Sequence, residues 1–238
     1  MEKVINALVL RAVDYRENDK ILTLLSATEG KISVGAKGVK KSGAKLSFAA
    51  QPFCFAEFVI ASKGERNTLV QASMIDSFYE LRTDIEKLYA ASAVVEICDR
   101  LLFEEDESEA LLIMAVRALK DMCSGDPCLC LCTFIIGSLD LAGYMLSFDG
   151  CFVCGEKIGE KLFFDLETGG FTCSECAIGL GTRRSTYDAL LCSAGYDVEE
   201  SKLTSEGKRR AVKLLHAYMQ KKTGEVFPAL EQFLKMSI

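Results

Sequence analysis

Four cysteines in two close pairs constrain this chain more than any other feature of its sequence. Cys151 and Cys154 are followed, after eighteen intervening residues, by Cys173 and Cys176. Two such pairs can place four thiolates around one zinc ion, and this spacing lies within the range of known zinc ribbons. The alternatives are two disulfides or four unrelated buried thiols.

The residues between the two pairs predict a small ribbon. Residues 162–165 and 171–173 have the pattern of two short strands, joined by a turn at residues 168–170. Gly155 lies where the first cysteine turn needs a left-handed backbone, which costs glycine little. A site with four protein ligands has no place for an activated water, so we expect one structural zinc ion without a catalytic role.

The number of cysteines indicates the redox state of the cellular compartment in which the protein works. The chain has eleven cysteines, and its first residues run directly into a strand-like segment without the features of a secretory leader. An odd number of thiols with no export signal favours a reducing environment, and therefore metal binding over disulfides. We expect a cytoplasmic protein.

Charge is distributed unevenly along the chain. The formal net charge is -6, yet residues 1–80 carry eleven Lys/Arg against nine Asp/Glu, and residues 81–238 carry seventeen against twenty-five. A polyanionic partner should therefore prefer the first third of the chain.

Residues 1–80 predict a small closed barrel of the OB-fold type. Five short apolar or alternating segments lie at residues 4–13, 21–25, 31–36, 53–61 and 68–75. They show no helical periodicity, and closure into a barrel removes exposed strand edges. Phe53, Phe55 and Phe58 could contribute to a binding face, but we predict them as core residues.

Basic residues in this first domain are candidates for DNA contact. A Gly/Ser-rich connection, which we expect to be mobile, carries four lysines that could follow a phosphate backbone without reading bases. An ordinary solvated loop is the alternative. The candidate DNA-binding residues are Arg11, Arg16, Lys20, Lys31, Lys37, Lys40, Lys41 and Lys45.

From residue 81 onward the pattern is helical. Thr83 and Glu86 have the spacing of a capping box at the start of the first helix. We predict helices at about residues 83–103, 111–122, 128–146, 186–192, 205–222 and 228–236, with the acidic EEDESE stretch between the first two. Asp126 and Pro127 are a good N-cap and first-turn pair for the third helix, and Gly224 is expected to end the fifth. The third predicted helix is apolar nearly all round. We favour a central buried helix over a membrane span, because this segment contains glycines and Asp140 and has no flanking Lys/Arg. Cys128, Cys130 and Cys132 are predicted as buried hydrophobic residues rather than a second metal site.

No catalytic arrangement can be assembled from these residues, so we expect a protein that is not an enzyme. Residues 30–37 have the two-glycine spacing of a phosphate-binding loop, but Ala36 stands where lysine is required. His216, the only histidine, is predicted to be a satisfied or exposed helix residue. The basic clusters at residues 183–184 and 208–210 are either solvated helix ends or partner contacts.

Four stretches together resemble the bacterial DNA repair and recombination mediator family RecO. They are the opening VLRAVDYRENDKILTLLSATEGKISVGAKGVKKS, the entry Gln51-Pro52-Phe53 to the fourth strand, the helix LRTDIEKLYAASAVVEICDRL, and the CFVC and CSEC pairs. The resemblance spans nearly the whole chain in the order barrel, helices, cysteine pairs, helices.

The resemblance implies an α+β, multidomain architecture: a five-stranded OB-fold barrel at 1–80, and a helical domain at 81–238 with a four-cysteine zinc ribbon inserted at 151–176. It implies binding of single- and double-stranded DNA, annealing of complementary strands, and help in loading RecA onto DNA coated with the single-stranded-DNA-binding protein SSB. The implied partners are DNA, RecR and SSB, with RecF and RecA as further candidates and no membrane. A zinc-ribbon transcription or translation factor acting through protein contacts is the alternative.

Overall fold

The first five strands form a closed barrel. A computed structural model describes residues 2–64, 66–101 and 108–236. The strands are β1 Glu2–Tyr15, β2 Asp19–Ser26, β3 Gly30–Ala36, β4 Phe55–Lys63 and β5 Arg66–Asp76, and their order around the barrel is β1-β2-β3-β5-β4. Neighbouring strands are antiparallel except β3 and β5, which pair in parallel and close the barrel. The predicted five-stranded, OB-like barrel is confirmed.

Alternating apolar side chains fill the barrel, because successive residues of a strand point to opposite faces. The buried cluster takes Ile5, Ala7 and Val9 from β1, Leu22 and Leu24 from β2, Val34 and Ala36 from β3, Ala56, Phe58 and Ile60 from β4, and Leu69 from β5. The prediction of core positions is confirmed for Phe58 and for Phe53, which is buried just before β4. It is wrong for Phe55, which is only half-buried because it lies an odd number of residues from Phe58.

Two helices complete the first compact unit, residues 1–123. Helix α1 spans Ile85–Arg100 and packs against β1, and α2 spans Ser108–Ser124. The predicted capping box is wrong: the α1 N-cap is Asp84, whose carboxylate accepts from the backbone N–H groups of Glu86 and Lys87. The predicted helix end near residue 103, and most of the acidic EEDESE stretch, lie outside the described residues.

The second compact unit, residues 124–238, begins with a helix that Asp126 caps. Helix α3 spans Pro127–Leu141, and the Asp126 side chain accepts from the N–H of Leu129. This confirms the predicted start, but the predicted end near residue 146 is wrong. The helix stops before Gly143, whose φ of +80° leaves the helical region.

Burial of α3 agrees with an internal position for most of its side chains. Cys128 and Cys132 are buried and Cys130 is half-buried, as predicted for small hydrophobic residues. Thr133 and Asp140 are exposed, so the helix is not covered on all sides. Among the described residues, no helix is long and apolar enough to cross a membrane.

The cysteine segment folds into a three-stranded sheet rather than a two-stranded ribbon. Strands β6 Lys161–Phe164 and β7 Phe171–Cys173 confirm the two predicted strands. A third strand, β8 Leu180–Arg183, was not predicted and pairs antiparallel with the other edge of β6. The sheet therefore extends past the second cysteine pair.

Three helices follow the sheet. They are α4 Arg184–Ser193, α5 Ser205–Thr223 and α6 Pro228–Lys235. Helices α3, α4 and α5 pack against one another, and α6 packs against α5. Gly224 ends α5 with a φ of +71°, as predicted. The structure divides after Cys123, and the predicted domain boundary after residue 80 stays a prediction.

Candidate nucleic-acid interface and metal centre

A groove at one end of the barrel brings together three of the predicted DNA-binding residues. It encloses about 500 Å³ and is formed by the β1–β2 turn, one end of β2 and β3, and the start of β5. Its charged residues are Arg16, Lys20, Lys37, Arg66 and Asp19. Four cations therefore face one carboxylate.

The β1–β2 turn shapes one wall of this groove. Arg16 has a left-handed backbone with φ of +57°, which is uncommon for a residue with a Cβ. Its guanidinium carbon lies 5.1 Å from the ring centroid of Tyr15. Tyr15 is 46% exposed and lines the groove, so an aromatic face lies next to the cations.

Parallel closure of the barrel supplies the opposite wall. Pairing of Val34 with Asn67 and of Gly35 with Thr68 carries Arg66 to the same end of the barrel as Lys37. Arg66 was not predicted as a DNA-binding residue, because β3 and β5 are not consecutive strands and their pairing is not visible in the sequence. The predicted turn between β4 and β5 could have indicated that Arg66 lies at an end of the barrel, since hairpin turns lie at the ends of a barrel.

The lysine-rich connection after β3, which was predicted to be mobile, forms a series of hydrogen-bonded turns in the structure. The N–H of Gly38 donates to Asp19 Oδ1 at 2.8 Å, and the N–H of Lys40 donates to the carbonyl of Asn18 at 3.1 Å. Further i+3 bonds follow at Lys41 and Ala44. The connection is thereby fixed to the β1–β2 turn beside the groove.

One carboxylate holds two of the predicted DNA-binding lysines. The Nζ atoms of Lys40 and Lys20 lie 2.6 and 4.0 Å from Asp14 carboxylate oxygens. The hydrogen bond from Lys40 holds the pKa of Asp14 below its ordinary value. Lys41 and Lys45 are exposed. In the free protein, Asp14 therefore competes with any phosphate for Lys20 and Lys40.

The remaining two predicted residues face α1 instead of the groove. Arg11 Nε lies 3.6 Å from Asp99 Oδ2, and the Lys31 ammonium donates to the Asp99 carbonyl. Arg11 also lines a second groove of about 700 Å³ between β1 and α1, where Glu96 and Asp99 offset its charge. The eight predicted residues thus lie in three separate places on the first unit.

The four paired cysteines meet at one point of the second unit. Their sulfur atoms all lie within 4.8 Å of one another, and Cys154 Sγ is 3.8 Å from Cys173 Sγ. Sulfurs at the corners of a tetrahedron with metal–sulfur bonds of about 2.3 Å would be about 3.8 Å apart. The four thiols could therefore hold one metal ion. All four cysteines are free in this structure, and four sulfurs gathered around one point fit a shared ion better than two separate disulfides.

Backbone geometry forms this cluster from two matching turns. In the first, the N–H of Gly155 donates to the Cys151 carbonyl at 2.7 Å; in the second, the N–H of Ala177 donates to the Cys173 carbonyl at 2.9 Å. The residue after each cysteine pair is left-handed, with φ of +78° at Gly155 and +49° at Ala177. The left-handed Gly155 confirms the prediction, while Ala177 adopts the same conformation without glycine's freedom.

The thiols differ in how readily they lose a proton. Burial acts to raise the pKa of Cys151, but hydrogen bonds from backbone N–H groups nearby outweigh it and hold that pKa at about 6. Burial and the adjacent thiols raise the pKa of Cys176 to about 12. The pKa of Cys154 is also raised above its ordinary value. One thiolate therefore forms easily, while those of Cys154 and Cys176 need a cation to stabilise them, which suits a metal site.

Other predicted features of the second unit serve internal contacts. Arg184 Nε donates to Asp188 at 2.9 Å, and Lys208 pairs with Asp126, the α3 N-cap, at 2.5 Å. Arg209 donates to the Phe233 carbonyl at 2.9 Å. The prediction for His216 is wrong: it is half-buried, and its Nε2 atom has no hydrogen-bond partner among the described residues.

Comparisons with known proteins agree with this architecture. Residues 1–78 match the family model described as "Recombination protein O N terminal", and residues 82–231 match "Recombination protein O C terminal". The DNA repair protein RecO of Desulforamulus reducens is 30% identical over 224 residues, which is 91% of this chain and 88% of that protein. The one from Desulfitobacterium hafniense is 34% identical over 172 residues, covering 72% of this chain and 63% of that protein. The one from Bacillus pumilus is 34% identical over 170 residues, covering 71% and 66%.

Proposed function

The chain belongs to the RecO family of DNA repair proteins, and on that premise we propose that it binds DNA without sequence preference through the groove at the end of its barrel. The observation that carries this proposal is the convergence of Arg16, Lys20, Lys37 and Arg66 around one carboxylate. OB-folds bind nucleic acid on the face of their second and third strands, between the first and last hairpin loops. The groove is built from those same parts.

The groove has the two components that non-specific binding of single strands requires. Four cations can follow a phosphate backbone, and the exposed ring of Tyr15 offers a surface on which a base can stack. Tyr15 is a better candidate for stacking than Phe53 or Phe58, because both of these are buried. The same contacts, made with two strands in turn, would support annealing of complementary strands.

We also propose zinc as the ion held by Cys151, Cys154, Cys173 and Cys176. A tetrahedral set of four thiolates is typical of structural zinc. Its chemistry here would be structural: it would join the two cysteine turns to the β6–β7–β8 sheet. With four protein ligands, the site would have no open position for substrate or water.

The salt dependence of DNA binding tests the groove assignment. Lys37→Ala/Arg66→Ala removes two groove cations, and Lys120→Ala/Lys157→Ala removes two exposed lysines elsewhere as a matched control. We expect the groove variant to flatten the slope of log affinity against log salt by ~0.7 for each lost phosphate contact with a single strand, and the control to leave it unchanged. Equal slopes in the two variants would contradict the assignment. Lys41→Ala/Lys45→Ala measures how far the neighbouring turns contribute.

The mediator activity needs a separate experiment. We propose that the protein acts with RecR on DNA coated with SSB, anneals complementary strands and helps to load RecA. Annealing of SSB-coated complementary oligonucleotides, with and without RecR, should be faster with the wild-type protein than with the groove variant. Failure to anneal at any salt concentration, together with retained protein partners, would favour a factor that acts through protein contacts alone.

A further inference from the structure

A second positively charged groove lies between α5 and α6 and shares no residue with the barrel groove. It encloses about 440 Å³, a volume within the range of pockets that bind small ligands. Its lining comprises Glu206, Arg209, Arg210, Lys213, His216, Glu231, Leu234 and Lys235. Four cations therefore face two carboxylates, in a part of the chain, residues 81–238, where acidic residues outnumber basic ones.

Both carboxylates of the groove already have cationic partners. Glu206 accepts from Arg210 and lies 3.3 Å from Arg183, while Glu231 lies 3.9 Å from Lys235. Lys213 is exposed, and no carboxylate among the described residues lies within salt-bridge distance of its ammonium group. The groove thus keeps an excess of positive charge after its internal ion pairs are formed.

Arg210 and His216 each have a buried nitrogen atom without a hydrogen-bond partner among the described residues. These atoms are Nη1 of Arg210 and Nε2 of His216. Burial lowers the pKa of His216, and the nearby Glu231 opposes that effect only in part. A buried polar group without a partner is unfavourable. Both residues line the groove, so a ligand with several acceptor oxygens could supply the hydrogen-bond partners that these side chains lack.

We infer that the α5–α6 groove binds a phosphate group through Arg210 and Lys213, with His216 as a third donor. A phosphate presents acceptor oxygens in several directions, so it can satisfy a guanidinium, an ammonium and an imidazole together. The groove has room for more than the phosphate itself, so the group can be part of a larger molecule. A phosphodiester of a nucleic-acid strand and the phosphate of a free nucleotide share this chemistry.

The only histidine of the chain makes the inference directly testable, because its ring protons give one set of histidine signals in a proton NMR spectrum. We expect inorganic phosphate to shift these signals saturably, whereas chloride at equal ionic strength does not. Bound phosphate stabilises the imidazolium form, so the midpoint of the His216 titration should move to higher pH. A shift that does not saturate, or that chloride reproduces, would overturn the inference.

Substitution of the two main contacts provides the matched comparison. Arg210→Gln/Lys213→Gln should weaken phosphate binding about tenfold or more, because it removes two charge-assisted hydrogen bonds. Lys120→Gln/Lys157→Gln, which changes the charge equally, should leave binding unchanged. Equal affinity in the two double variants would refute the assignment. If the first fails to fold, Lys213→Gln alone changes an exposed residue and gives the same comparison with a smaller expected effect.

Three ligands distinguish the source of the phosphate. Inorganic phosphate, a nucleoside monophosphate and a short single-stranded oligonucleotide are titrated into the Lys37→Ala/Arg66→Ala variant, in which the barrel groove is weakened. The ligand that saturates the His216 shift at the lowest phosphate concentration identifies the source of the phosphate. The oligonucleotide would indicate a nucleic-acid strand, the nucleoside monophosphate a free nucleotide, and inorganic phosphate the free ion. Absence of a saturable His216 shift with all three ligands would overturn the inference, whatever the barrel groove binds.

Discussion

The two cysteine turns offer a paired test of how the metal site is built. The residue after each pair is left-handed, but it is glycine at position 155 and alanine at position 177. A left-handed backbone costs an L-residue roughly 1–2 kcal/mol, while glycine loses about 0.5–1 kcal/mol more in conformational entropy on folding. We therefore expect Ala177→Gly to stabilise the folded, metal-bound state by about 0.5–1 kcal/mol, and Gly155→Ala to destabilise it by a similar amount.

Side-chain packing does not complicate this comparison. Ala177 is exposed, so replacing it with glycine removes little buried surface. A Cβ at Gly155 would meet no heavy atom within 4 Å, so the substitution to alanine introduces no clash. The expected difference in either variant therefore comes from the backbone alone.

Competition for zinc with a chromophoric chelator measures the effect, because metal affinity includes the free energy of folding the site. A change of 0.5–1 kcal/mol corresponds to about two- to fivefold in the apparent dissociation constant. Ala177→Gly should bind zinc more tightly than wild type and Gly155→Ala more weakly, and the double variant should lie close to wild type. Weaker binding in both single variants would refute the backbone explanation.

Three further predictions concern the metal site, the first helix and the barrel groove. Cys154→Ser should lower zinc content and thermal stability together, and should reduce annealing only as far as the fold is lost; a well-folded, zinc-free variant without annealing would place DNA binding in the second unit. Asp84→Ala should destabilise the first unit by about 1 kcal/mol in urea denaturation, because it removes the α1 N-cap, while Thr83→Ala should cost less; the reverse order would support the capping box. Asp14→Asn should release Lys20 and Lys40 and tighten DNA binding by about two- to fivefold; unchanged affinity of the variant would show that Asp14 does not compete with DNA. In the wild-type protein, the Lys40–Asp14 contact should persist above pH 3.8 and be lost as the pH falls below that value, through the lowered pKa of Asp14.

Local patterns in the sequence were sufficient for the features that depend on local spacing. Alternation placed Phe58 inside the barrel, and the paired cysteines met as their spacing predicted. The start of α3 followed from Asp126 and Pro127, because an N-cap and a first-turn proline act on adjacent residues. These features need no information about which distant segments pair.

Features that depend on distant pairing could not be predicted in the same way. Strand β8, with the sequence LGTR, has no apolar alternation, and pairing with β6 makes it a strand. Arg66 joins the groove through the parallel pairing of β3 with β5. The α1 cap was missed for a local reason: Thr83 and Asp84 are both good capping residues, and the Thr83 hydroxyl instead donates to the Glu80 carbonyl at 2.8 Å.

The net charge of -6 is compatible with binding of DNA at the barrel groove. At physiological ionic strength the Debye length is about 8 Å, so acidic residues farther than this from the groove act only weakly on a phosphate in it. The local balance of the four groove cations against Asp19 in the groove and Asp14 beside Lys20 then determines the contact. At low salt the screening length grows to about 30 Å at 0.01 M, and distant acidic residues begin to repel the strand. As the salt concentration is lowered, the affinity for DNA should therefore rise less steeply than the number of groove cations alone predicts. Substituting acidic residues far from the groove should restore the steeper salt dependence.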